Sequence, residues 1–230
     1  MNTQEGISRL QIKIMAYVSM LLELIAWKFC DVTSVAGIVL HTIGALAAPL
    51  YCFLIVEGYL HTKKLSLYFL RLGVLAVLSQ ILYSLCHSEN PFALNGVYAC
   101  FICLLSVFLF DKIKNLPGRI VVLSIILVFA ALGEMPIYGM LYALFMFRYH
   151  EEKGKRSIGM VVTAVFTGAL LFLLNGGVMQ ALMQIAAILC IPIVLQYNEN
   201  KGEISQKLQW CFYALYPLTL GVVFIIDRFV

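Results

Sequence analysis

The sequence predicts an all-α fold, a polytopic bundle of about nine transmembrane helices with a cytoplasmic N-terminus, and three observations predict it. The chain has 230 residues, 62% of them hydrophobic and 12% charged, whereas ordinary soluble chains carry about 25% charged residues; so much apolar surface has no soluble core to enter. Apolar stretches recur along the whole chain, most of them near the roughly 17 to 25 residues a helix needs to cross hydrocarbon. Lys and Arg fall on alternate loops, the asymmetry that sets membrane topology.

Taken in order, the apolar stretches are 9–28, 33–59, 66–86, 94–110, 119–133, 136–149, 158–174, 178–196 and 208–228. The fifth and sixth are short, separated only by Gly133-Glu134-Met135-Pro136. Nine spans from a cytoplasmic start put Arg9, Lys13, Lys63, Lys64, Arg71, Lys112, Lys114, Arg119, Arg148, Lys153, Lys155, Arg156, Lys201 and Lys207 on the inner side. Lys28 and Arg228 alone stay outside. Fusing the fifth and sixth stretches would turn the Arg148 to Arg156 cluster outward, against the positive-inside tendency. Arg9 and Lys13 precede the first apolar stretch, but Glu5 lies before them and no small-residue cleavage site follows, so the expectation is an uncleaved first span.

Residues 1–230 read as a single transmembrane domain without internal repeats. The sequence has no phosphate-cradling Gly-rich loop, no paired Cys/His zinc spacing and no Gly-x-Ser-x-Gly elbow, so no metal is expected. The net charge of +4 follows from the inner-face excess of Lys and Arg and calls for no nucleic acid. The seven cysteines, among them Cys100, Cys103 and Cys190, lie in or beside apolar stretches, where buried thiols ordinarily pack as small hydrophobes.

Polar groups inside those stretches point to function. An ionisable residue at bilayer depth costs roughly 2.5 to 3.5 kcal/mol even on the lenient insertion scale, so it needs a partner. Glu57 and His61 stand at i and i+4 on one helical face, with Lys63, Lys64 and Arg71 just beyond; Arg71 falls in the first turns of the third span, with Glu57 its expected partner. The first two spans form a hairpin with its tip near Asp31, which brings Glu23 and His41 to within about 3 Å of one depth by helical rise. A carboxylate holding an imidazole sets its tautomer and basicity, the arrangement of a general base. Asn198, Asn200, Lys201 and Tyr213 extend a polar column at the inner end, and Asn90, Asn95, Glu134, Tyr138, Asn175 and Gln180 at the outer end. Gln80, Gln184 and Thr219 lie between, where single amides and hydroxyls also serve as interhelical glue.

Several segments carry a family resemblance: Ile43 to Gly58 with its Pro49 and closing Glu57-Gly58, the Tyr138-Gly139 turn, the loop Tyr197-Asn198-Glu199-Asn200-Lys201-Gly202, and Phe212 to Leu220 with Tyr216-Pro217. In this order they resemble the TraX family of integral membrane acetyltransferases. That resemblance implies transfer of an acetyl group from acetyl-CoA to an amine or hydroxyl, the eponymous member acting on a pilin N-terminus. The chain departs from the family pattern where Leu24 replaces a His, Ala45 an Arg and Thr219 a His. His41, four residues before Ala45 and on the same helical face, is then read as a relocated base.

The expectation is an acyltransferase of the bacterial cytoplasmic membrane. Glu23 and His41 are its catalytic candidates; Glu57, His61, Arg71, Tyr138, Asn198 and Lys201 bind substrate or cofactor. Acetyl-CoA enters from the cytoplasm, and a peptide, pilin-like or glycan acceptor approaches from outside. The alternative is a catalytically degenerate member that acts as a membrane partner or scaffold. A small transporter fits the polar column but lacks repeated halves or broken helices.

Overall fold

A computed structural model describes residues 6–86, 93–174, 177–198 and 206–229. Asn90, Asn175, Asn200 and Lys201 lie outside these residues, and the side chains of Lys207 and Tyr213 are not described. The protein is an all-α membrane helix bundle: α1 (Arg9–Phe29), α2 (Val35–Gly44), α3 (Ala47–His61), α4 (Leu65–Cys86), α5 (Gly96–Lys112), α6 (Leu116–Ala130), α7 (Ile137–Arg148), α8 (Lys153–Leu173), α9 (Gly177–Ala186), α10 (Ile191–Leu195) and α11 (Gln206–Phe229). Every predicted apolar stretch carries one of these helices. Among the described residues five helical stretches are long and apolar enough to cross a bilayer: Arg9–Phe29, Val35–His61, Leu65–Cys86, Lys153–Leu173 and Gly177–Leu195. The predicted fifth and sixth stretches form two separate short helices, α6 and α7.

Two stretches expected as single helices are interrupted, for one physical reason. Proline has no N–H to give to the carbonyl four residues back, and its ring pushes that carbonyl aside. Pro49 acts in this way on Ala45, and the chain breaks at residues 45–46 between α2 and α3. Pro192 does the same to Ile188, and a 3-10 turn, Ala187–Cys190, separates α9 from α10.

The chain divides into two compact units. The first comprises Met1–Leu54 and Arg148–Ile204, the second Ile55–Phe147 and Ser205–Val230. In the first unit α1 starts at a capping box, in which Ser8 N donates to Gln11 Oε1 at 2.7 Å and Gln11 N to Ser8 Oγ at 3.4 Å, so two orphan N–H groups are satisfied reciprocally. The hairpin into α2 closes where Ser34 Oγ donates to Asp31 O at 2.7 Å and accepts from Gly37 N at 2.9 Å. α2 packs on α1, and α8 packs on α9, where Gly168 lies against Ala181 and Ile185 of α9. Small residues let helices approach where lipid supplies no hydrophobic drive between them.

In the second unit α4 packs against α5 and α11, and α5 against α6. Asn95 is buried and caps α5: its Oδ1 accepts from Val97 N and Tyr98 N, both at 3.0 Å, while Nδ2 donates to Ala76 O and Gln80 Oε1, both at 2.8 Å. The amides Asn95 and Gln80 are therefore seam glue. Asn95→Ala leaves those groups unpaired at roughly 1 to 3 kcal/mol each, and a clear fall in the thermal midpoint of the detergent-solubilised protein is the expected reading. A fall no larger than that of an exposed control, Leu78→Ala, would show the network to be dispensable.

Candidate functional site

The α1–α2 hairpin places a carboxylate and an imidazole side by side within the first unit. His41 is 1% exposed, and its Nδ1 lies 3.1 Å from Glu23 Oε1. The same oxygen accepts from Trp27 Nε1 at 2.8 Å, one turn along α1. The Trp27 ring meets that of His41 edge to face, with centroids 4.9 Å apart and planes at 71°. A carboxylate accepts but does not donate, so beside an ionised Glu23 a neutral His41 would carry its proton on Nδ1 and present a lone pair on Nε2. His41 Nε2 and Glu23 Oε2 are both buried and have no hydrogen-bond partner. A buried, unsatisfied polar atom costs roughly 1 to 3 kcal/mol. Two of them together are unusual in a native interior and mark the place where a hydrogen-bond donor would be welcome.

Gly44 makes the arrangement possible. A Cβ at this position would lie 2.7 Å from Glu23 Cβ and 2.8 Å from Glu23 Cδ, and would run into Glu23 Oε2. The Glu23 side chain thus occupies the space beside the last residue of α2. The break at residues 45–46 follows at once.

The second unit holds the other predicted pair. Glu57 is buried and His61 about half exposed; His61 Nδ1 lies 3.5 Å from Glu57 Oε2 and 3.0 Å from Glu57 O. Arg71 corrects an expectation: its Nε donates to Leu67 O of its own helix at 3.1 Å, and it makes no ion pair with Glu57. The guanidinium runs back along α4 toward the helix start, as long basic side chains do near a membrane surface. Tyr138 OH donates to Glu134 O at 3.0 Å. Asn198, in the first unit, gives its backbone N–H to Ile7 O at 3.2 Å, and Lys201 lies outside the described residues. Thr219, standing where the family pattern has a His, returns its hydroxyl to Leu215 O at 2.7 Å.

Sequence reasoning passed over three groups. Trp27 stands at i+4 from Glu23, a spacing that announces contact on one helical face. Tyr216 OH takes the N–H of Gly96 at 3.1 Å and donates to Glu134 Oε2 at 3.4 Å, a link across 120 residues that no local pattern announces. Arg156, counted only as a topology charge, is buried and donates to His150 O at 3.1 Å and Val194 O at 3.4 Å.

Comparison with known proteins gives a consistent picture. The chain is 23% identical over 232 residues to the probable fimbrial assembly protein FimC, serogroup H1, of Dichelobacter nodosus, with 94% of each chain covered. No solved structure matches. The family model described as TraX protein matches residues 8–227, nearly the whole length, and the chain belongs to the TraX family.

Proposed function

We propose that this protein is an acyltransferase of the bacterial cytoplasmic membrane. It moves an acetyl group from acetyl-CoA to an amine or hydroxyl of an acceptor at the outer face, a pilin-like peptide in keeping with the fimbrial assembly relative. The observation that supports this reading is the buried His41, oriented by Glu23 and Trp27, with its Nε2 lone pair unpartnered. In the reaction, Nε2 takes a proton from the acceptor as its nitrogen or oxygen bonds to the thioester carbonyl carbon. The tetrahedral intermediate then expels the thiolate, which takes that proton back from the imidazolium. Glu23 stabilises the transient imidazolium, as an orienting carboxylate does in other acyl transfers.

A second reading keeps the membrane role without the chemistry. Leu24, Ala45 and Thr219 replace three polar positions of the family pattern, which favours a partner or scaffold protein. Purified full-length protein given labelled acetyl-CoA separates the two. Thioester turnover that is lost in His41→Ala and kept in Cys190→Ala supports the enzyme. Absence of turnover in the wild-type protein, with and without a peptide amine acceptor, favours the scaffold.

A further inference from the structure

One end of the first unit, where α1 and α8 begin and α10 ends, holds a cleft that the acyl-transfer chemistry does not use. Residues 6–8 run beside residues 196–198: Ile7 N donates to Gln196 O at 2.8 Å and Asn198 N to Ile7 O at 3.2 Å, a parallel bridge between Ile7 and Tyr197. Gly6 sits at φ +133°, and a Cβ there would lie 2.7 Å from Gln196 O and 2.9 Å from Asn198 Cβ, so the arm closes on this segment only with glycine at that position. Tyr197 is anchored in turn, its ring edge-on to the buried Phe53 with centroids 5.1 Å apart. The walls are thus fixed by backbone bonds and an aromatic contact.

The cleft has a volume of about 410 Å³ and is lined by Gly6, Lys153, Leu195, Gln196, Tyr197 and Asn198, within the roughly 300 to 1,000 Å³ of small-molecule sites. Among the described residues that line it, the one charged group is a cation. Lys153 Nζ reaches the neutral carbonyl of Leu195 at 3.3 Å, while its helix neighbours Glu152 and Lys155 pair with each other at 2.6 Å. Arg156 is buried behind the wall, with Nη2 on Val194 O. Arg9 begins α1 three residues after Gly6 and raises the positive field at this end. A fixed ammonium beside amide side chains offers donors and charge to an oxygen-rich anion; Lys is an established point-charge binder of phosphate.

We propose that this cleft binds the phosphate group of a phosphorylated ligand, with Lys153 Nζ and the side-chain amide of Gln196 as donors. The assignment stands whether or not His41 catalyses acyl transfer. Where it does, the cleft constrains the donor. Arg9 and Glu23 are fourteen residues apart on α1, about 21 Å at 1.5 Å per residue, so a donor held here by its phosphate needs an arm of that order to present an acyl carbon to His41. A long-armed thioester meets the requirement; an acyl phosphate falls short.

The test uses full-length protein in nanodiscs of neutral phosphatidylcholine, titrated calorimetrically with ADP and with inorganic phosphate. Saturable binding is expected, weakened about tenfold or more in Lys153→Gln from loss of a charged hydrogen bond, restored in Lys153→Arg and unchanged in Lys155→Gln. Parallel nanodiscs containing phosphatidic acid, read by native mass spectrometry, identify the source. Lys153-dependent retention of phosphatidic acid without ADP binding keeps the phosphate site and assigns it to a lipid headgroup. Absence of both, or binding indifferent to Lys153→Gln, overturns the proposal. No acyl group enters the measurement, so failure here is distinct from failure of the acyl-transfer reading.

Discussion

His41→Ala is expected to lower the proposed acetyl transfer by about 10² to 10⁴, the usual contribution of a positioned general base, while leaving the helical content of the protein unchanged. His41 gives Nδ1 to Glu23 and leaves Nε2 bare in a buried setting, and among the described residues no other imidazole shares that contact: His61 is bonded to Glu57, and His150 pairs with Glu151 at 3.5 Å. Glu23→Gln is the sharper variant. A Gln at position 23 keeps the shape but removes the negative charge that holds the imidazolium, so the rate falls by an amount comparable to His41→Ala, and the double variant falls little further, as residues acting as a unit do. Trp27→Phe retains the edge contact and loses only the indole N–H, and its loss is expected to be smaller than either. Single-turnover rates with labelled acetyl-CoA check all four. Losses that multiply in the double variant would mean that Glu23 and His41 act separately, and the dyad would have to be abandoned.

Gly44→Val is expected to disturb both stability and activity. The added carbons meet the Glu23 side chain directly, because a Cβ alone already overlaps it, and overpacking of a filled interior costs typically about 1 to 3 kcal/mol. Relief requires Glu23 to swing away, which separates it from His41. Combining Gly44→Val with Glu23→Ala removes the carboxyl part of the clash and leaves Cβ of residue 23, 2.7 Å from the added Cβ, so thermal stability should recover in part relative to Gly44→Val while the proposed acetyl transfer stays lost. This coupling between two touching residues is what a double-mutant cycle isolates. Additive destabilisation in the thermal midpoints would show that Gly44 serves some purpose other than admitting the Glu23 carboxylate.

Much of the fold was legible in the chain because membranes impose a coarse length rule on every span. Apolar stretches and their basic flanks located the helices, and Gly133 to Pro136 marked the division between α6 and α7. The interruptions before Pro49 and Pro192 were legible in principle, since proline forbids one named hydrogen bond in each case, yet the apolar runs masked them. The hairpin arithmetic brought Glu23 and His41 to one depth, and a hydrogen bond at 3.1 Å joins them. Arg71 went the other way. Its expected partner Glu57 lies in the preceding helix, but the carbonyl of Leu67, one turn back on its own helix, is the group it reaches.

By itself the sequence determined the class, the apolar helical stretches and the candidates for chemistry, because hydrophobic length and the cost of buried charge act residue by residue. Tertiary structure alone decided which nitrogen of His41 is free, that Trp27 shares the carboxylate oxygen, that Gly44 vacates the space, and that the chain at Gly6 closes on residues 196–198. Those facts depend on distances of a few tenths of an ångström between helices and on the direction of single side chains, which no periodicity encodes.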